Sequence, residues 1–265
     1  MNTSSSEILA PHLRRNPRAY ARLFQGLILG VTAVFIGGGL GWLPLYIAIP
    51  LIMVLYGRFV VVVHETTHCI APAKASWFMR VMPALLGPVV GGYRESWYLH
   101  HRHHAALLGP DDPDLHMTDC SAIEGLLRAF VYPEYFVWYQ VKQRGFERGY
   151  LMELGLRGLA WVALLVCLPF SHWFWLWLTV RVTFALSYFL LAWYLHRIGS
   201  EIGTFRKPLP PWVCSFLSVL TGPAGVGTLL YHDIHHNIPA IDAKSLHLVA
   251  DSIAYDHASA VRGRV

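Results

Sequence analysis

Between Leu23 and Val63 the chain carries a single charged residue, Arg58. So long an apolar stretch excludes most soluble folds, because a water-facing helix needs a polar side. Gly37-Gly38-Gly39 and Pro44 divide it into two runs, about 23–40 and 45–63. Each is close to the roughly 20 residues that cross about 30 Å of hydrocarbon. The pattern predicts a transmembrane hairpin turning over 37–44, with Arg58 snorkelling to an interface. A second hairpin is predicted over 154–170 and 173–196, with its turn at 169–172 and an interfacial belt of Trp173, Trp175 and Trp177. Arg157 and Arg181 lie inside these legs. Arg181 is left with two readings, snorkelling or a partner in the bundle.

Composition agrees, with 14% charged residues against about 25% in a soluble domain. The net charge of +5 does not point to nucleic acid, because the basic residues flank apolar runs. Neither predicted turn contains Lys or Arg, while Arg14, Arg15, Arg18, Arg22, Lys74, Arg80, Arg94, Arg102, Lys142, Arg144, Arg148, Arg197, Arg206 and Lys207 fall on the other side. The positive-inside rule therefore predicts both termini cytosolic.

Against this background stands Tyr98-Leu99-His100-His101-Arg102-His103-His104. On a helix His100, His103 and His104 lie at i, i+3 and i+4, share a face and can converge on a cation. His64-Glu65-Thr66-Thr67-His68 places two histidines one turn apart, and His232-Asp233-Ile234-His235-His236 repeats the central spacing. Imidazole suits zinc, copper, iron and nickel, and these histidines outnumber the ligands of one ion, which implies two metals. The predicted topology puts all three clusters on one membrane face and adds His196, at the cytosolic end of the fourth span, as a further candidate.

The remaining stretches are less constrained. Residues 1–22 read as a cytosolic leader, since no small-residue cleavage site follows a short apolar core. The segment 81–92 is too short to span and is expected to lie at the interface or re-enter. Residues 111–114 read as a turn, and 130–139 as a helix in the headgroup region. The apolar run 212–231, interrupted by Gly222-Pro223-Ala224-Gly225, is expected to be interfacial or buried, and 241–265 a cytosolic tail. The four cysteines are far apart and form no CxxC pair, so neither disulfides nor thiolate metal sites are expected.

With its three histidine boxes and four spans, the chain resembles the membrane fatty acid desaturase superfamily over about residues 23–240. The matching pieces are His64 to His68, His100 to His104 followed by Asp111-Asp112-Pro113-Asp114, and His232 to His236. The resemblance implies an all-α integral membrane fold: four transmembrane helices as two hairpins, a cytosolic histidine-rich di-iron cap and interfacial helices. It implies a pair of non-haem irons held by His64, His68, His100, His103, His104, His196, His232, His235 and His236. Dioxygen would be the co-substrate, and a lipid chain entering from the bilayer would be desaturated. In the acyl-CoA desaturases an asparagine one turn before the equivalent of His196 reaches the iron through water; here Ala192 stands there. The Asp-Asp-Pro-Asp sequence is also similar to carotenoid ketolases and hydroxylases of the superfamily. Glu65, Glu95, Asp112 and Asp114 are candidates to hold histidine N–H groups.

No fused electron-carrier signature is visible, so a separate donor of ferredoxin, rubredoxin or cytochrome b5 type is expected at the basic face, in a bacterial inner membrane. Two other classes stay open from the residues. One is a membrane zinc metalloprotease with Glu65 as general base, which leaves most of the histidines without a role. The other is a metal carrier.

Overall fold

The computed structural model of the protein describes residues 12, 16–88, 90–107, 109–197 and 209–250. Most of the expected leader, Arg206, Lys207 and the tail beyond residue 250 lie outside them. Among the described residues every regular element is helical. The chain divides into two compact units, one of which is Pro17–Arg197.

In that unit α1 (Pro17–Gly39) and α2 (Leu45–Thr67) form the first hairpin. The helix α1 begins within the expected leader and runs through the triple glycine, so the turn is only Leu40 to Pro44, with Gly41 at φ 76°. The glycines serve close packing instead. A Cβ on Gly38 would stand 2.9 Å from Leu176 Cδ1 and 3.1 Å from Ala48 Cβ, and one on Gly39 would stand 2.5 Å from the Trp173 ring. Small residues that let helix backbones approach are the usual means of association in a bilayer. The second hairpin is α8 (Arg148–Cys167) and α9 (Ser171–Tyr188), the latter continuing as a π-helix over Phe189–Tyr194 and then α10 (Leu195–Arg197). Trp173 against Gly39 and His172 against Gly41 bring both hairpin turns to the same end. The core includes Phe24, Ile28, Ile52, Phe59, Leu176 and Val180.

Between the hairpins run α3 (Trp77–Leu85), α4 (Tyr93–Ala106), α5 (Leu115–Thr118), α6 (Ala122–Phe130) and α7 (Tyr132–Arg144). Ser76 and Ser121 cap α3 and α6 through their hydroxyls. The single headgroup helix expected over 130–139 is two, broken at Val131. In the segment after α3, Leu85, Leu86 and Pro88 line an apolar cavity of about 260 Å³ with Phe35, Cys167 and Trp173, side chains near the turn ends of α1, α8 and α9.

The charges inside the legs have partners. Arg157 Nη2 lies 3.1 Å from Glu95 Oε1, which also accepts from the Tyr150 hydroxyl at 2.6 Å. Arg157 Nη1 donates to the Gly87 carbonyl, and Arg94 pairs with Glu153 at 3.2 Å. Arg181 is 2% exposed and donates to Glu134 and to the Phe130 carbonyl, among the rings of Phe130, Trp161 and Trp177. Of its two readings, the structure shows the partner in the bundle.

The second unit contains α11 (Pro211–Leu230), α12 (His232–Asn237) and a 3₁₀ turn, Ala243–Ser245. Its small core gathers Ile234, Ile241, Leu246 and Val249. The helix α11 matches α1 and α8 in apolar character, and among the described residues it brings to five the helices long and apolar enough to cross a membrane. Gly222 (φ 79°, ψ 167°) breaks it in the middle, as its sequence interruption suggested.

Removing one partner of a buried ion pair strands the other, at about 3–5 kcal/mol. Arg157→Met is therefore expected to lower the thermal stability of the detergent-solubilised protein markedly, and adding Glu95→Gln to restore most of the loss. Equal stability of Arg157→Met and wild type in a thermal melt would contradict the role of this pair.

Candidate metal centre

The end of α2 and the middle of α4 are fastened together before any metal is considered. The Tyr93 hydroxyl, at the start of α4, reaches the carbonyls of Thr66 and Ile70, at 3.2 and 2.7 Å. His101 Nε2 donates to the Thr67 carbonyl at 3.0 Å, and its ring lies against Trp97. His101 thus belongs to the fastening and turns away from its neighbours.

On this frame His64, His68, His100 and His104 each offer a ring nitrogen, all within 4.8 Å of one another. One pair, His68 Nε2 and His100 Nε2, is 2.7 Å apart. Burial, followed by the charges of His103, His64, His101 and His196, lowers the pKa of His104 to about 2. Its imidazole is therefore neutral, the form that ligates metal.

His103 joins a different group. One residue before His104, it points about 100° around the helix and faces His196, with the two Nε2 atoms 3.2 Å apart. His100, His103 and His104 therefore do not converge on one point. His100 and His104 serve one group and His103 the other, so α4 presents two groups side by side.

The tautomers of this second group follow from its acceptors. His103 Nδ1 donates to the Asp112 carboxylate at 2.9 Å, and His196 Nδ1 donates to the Ala192 carbonyl at 2.9 Å. A carboxylate and a carbonyl can only accept, so both hydrogens are on Nδ1. The two Nε2 lone pairs then face each other, which is tolerable only with a cation between them, a proton or a metal ion. Burial opposes a charge on His103, but the hydrogen bond it donates to Asp112 and the charges of Asp114 and Asp112 outweigh it and raise its pKa.

Asp112 is itself held, its Oδ1 accepting the Asp114 amide at 2.8 Å. Asp114 Oδ2 lies 3.7 Å from His103 Nδ1, and its Oδ1 accepts from the hydroxyls of both Tyr132 and Tyr188, the latter at 2.7 Å. Of the four acidic candidates, Glu65 accepts from His64 Nδ1 at 3.0 Å and Asp112 and Asp114 hold His103. Glu95 is engaged by Tyr150 and Arg157, away from the histidines. The sequence reading missed Tyr132 and Tyr188. Tyr132 lies in the aromatic run over 130–139, read as interfacial, and Tyr188 in the fourth apolar leg, where nothing in the sequence set it apart.

In the second unit His232, His235 and His236 come together on α12, with His232 Nε2 and His236 Nε2 2.9 Å apart and His235 fully buried. Converging imidazoles, with carboxylates and a carbonyl behind several of them, fit iron, zinc or copper, and the second partners fix which nitrogen faces inward.

The model of the fatty acid desaturase family matches residues 40–258. The chain belongs to that family, and the match runs through all three histidine clusters. No curated protein and no solved structure among those compared matches the chain.

Loss of a partner behind a metal-binding histidine typically weakens metal affinity about 10- to 100-fold. Asp112→Asn is expected to do so here, measured by titrating a chelator against the metal-loaded protein. Unchanged retention would show that Asp112 does not orient a ligand.

Proposed function

We propose that the protein is a dioxygen-dependent di-iron desaturase that introduces a double bond into a fatty acyl or similar lipid chain within the membrane. The observation that carries this reading is the division of the α4 histidines into two neighbouring groups, one with His64 and His68, the other with His196, in a chain of the desaturase family. His64, His68, His100 and His104 would hold one iron, and His103 and His196 ligands of the other. His232, His235 and His236 complete the set by the family's pattern. Bound there, the irons would supply activation of dioxygen and oxidation of an unactivated C–H bond, chemistry that no side chain can perform.

The contribution of the chain is orientation and exclusion of water. Asp112 and the Ala192 carbonyl keep the Nε2 atoms of His103 and His196 free of protons and aimed inward. Glu65 does the equivalent for His64 through Nδ1. His103 and His196 are almost wholly buried, which keeps bulk water away from a reactive centre. With both termini cytosolic, the histidine ends of the hairpins face the cytosol, where a separate electron-transfer protein can dock. A zinc protease would need Glu65 aimed at a metal-bound water, whereas Glu65 is fully buried and bound to His64.

A second reading within the family is hydroxylation or ketolation of a carotenoid or other lipid. It is favoured by the Asp-Asp-Pro-Asp segment, whose Asp112 and Asp114 both engage His103.

Elemental analysis of the purified protein is expected to find about two irons per chain, since the clustered histidines outnumber the ligands of one ion. Cells expressing it should gain new unsaturated lipid. His103→Ala is expected to abolish the product while leaving membrane insertion intact. One zinc per chain with an unchanged lipid profile would overturn the reading, and an oxygenated lipid in place of an alkene would select the hydroxylase.

A further inference from the structure

The two tyrosines on Asp114 begin a file of oxidisable rings that leads away from the histidines. The Tyr188 hydroxyl meets Asp114 at 2.7 Å, and the centroid of its ring lies 4.0 Å from that of Tyr132. Tyr132 is 5.0 Å from Tyr135, and Tyr135 is 5.4 Å from Trp138. Tyr132, Tyr135 and Trp138 recur every three residues on α7, which stacks them along one side of the helix. Exposure rises along the file: Tyr132 is fully buried and Trp138 is 52% exposed, with Lys142 Nζ 4.8 Å from its ring.

A stripe of aromatics on a short helix is ordinarily packing. Packing has no need of phenols, however, and does not call for the stripe to continue to the surface. Phe136, on the same helix, packs on Tyr132 without a hydroxyl. A side branch through Tyr139 to Tyr98 also leaves the file at Tyr135. Tyr135 is therefore the junction through which each outward path from Tyr132 passes among these contacts.

We propose that Tyr188, Tyr132, Tyr135 and Trp138 form a one-electron route that rescues the metal centre when it is oxidised with no lipid C–H bond in reach. This rests on the dioxygen-dependent reading given above. Tyr188 gives one electron inward, and its phenolic proton moves along the existing hydrogen bond to Asp114. Tyr132 refills Tyr188, which takes its proton back from Asp114, and Tyr132 passes its own phenolic proton to the same carboxylate. Tyr135 refills Tyr132, which recovers that proton, while Tyr135 keeps its own in its hydrogen bond to the Pro113 carbonyl. Trp138 then refills Tyr135, and the electron deficit comes to rest on the exposed indole as its radical cation. A water-soluble thiolate then supplies one electron to Trp138 and leaves as a thiyl radical. The high pKa of Tyr132, raised by burial and then by the Asp114 charge, keeps that phenol protonated until it is called on.

The test uses the full iron-loaded chain in detergent, reduced and aerated repeatedly without lipid or thiol and with a nitrone spin trap present. Adducts are then located by peptide mass spectrometry. In the wild type they are expected mainly on Trp138. Tyr135→Phe keeps the ring and removes the oxidisable phenol. It should lower the Trp138 adduct several-fold and move damage inward to Tyr132, Tyr188, His103 and His196. Tyr46→Phe, an exposed position near the first hairpin turn, should leave the wild-type map unchanged. Should Tyr135→Phe bind less iron, Trp138→Phe serves instead, and adducts should then stop at Tyr135. Oxygen consumption with the same adduct map in wild type and variant would overturn the route. If no oxygen is consumed, the dioxygen-dependent reading itself falls, and the route falls with it.

Discussion

The hydrogen bond from His103 Nδ1 to Asp112 decides which nitrogen of that ring faces its neighbour, and much of the unit is arranged to hold it. Asp112 is fixed by the backbone amide of Asp114, and Asp114 by phenols from α7 and α9. One imidazole is thereby tied to α4, to the turn after it, to α7 and to α9. A buried carboxylate is stable only when its oxygens are satisfied. The phenols and amide that satisfy these two also set the relative positions of the elements that carry them. The rigidity a metal site requires and the satisfaction of buried charge are here achieved by the same bonds.

The second constraint is the apolar solvent around the helices. Arg157 and Arg181 would be costly in hydrocarbon, yet each is matched by a carboxylate from a segment between the hairpins, Glu95 on α4 and Glu134 on α7. The attraction of each pair grows where water is scarce. The two arginines therefore act as pegs by which the histidine-bearing segment is docked onto the second hairpin. The pairing also explains why α8, the least apolar leg in charge content, remains within the bundle.

This explains where the sequence was legible and where it was not. The apolar runs located α1, α2, α8 and α9, because hydrophobicity is a property of each segment alone. Their ends were misjudged at Gly37–Gly39, where glycine reads as a break in an isolated chain but here admits Leu176 and Trp173. The histidine boxes were legible from ligand spacing. Their division between two groups was not, because i, i+3, i+4 spacing defines a shared face and says nothing of the 100° between adjacent side chains. Glu95 was a candidate to hold a histidine N–H, whereas its partner Arg157 stands 62 residues away. Pairings of that range are not local properties and leave no periodic trace.

His196 shows how a backbone irregularity can do what no residue type announces. The Leu195 amide donates to the Leu190 carbonyl, five residues back, instead of the four of an α-helix. A π-turn adds one residue to the turn, so the residues after it are rotated by about 100° relative to an unbroken α-helix. His196 is the second residue after that insertion, and its ring meets His103. Its Nδ1 hydrogen is taken by the Ala192 carbonyl, inside the π segment. Any side chain at position 192 brings the same carbonyl, so the loss of an asparagine there removes a side-chain group without removing the acceptor that orients His196. The π segment is thus both the element that turns the imidazole towards its partner and the element that fixes its tautomer.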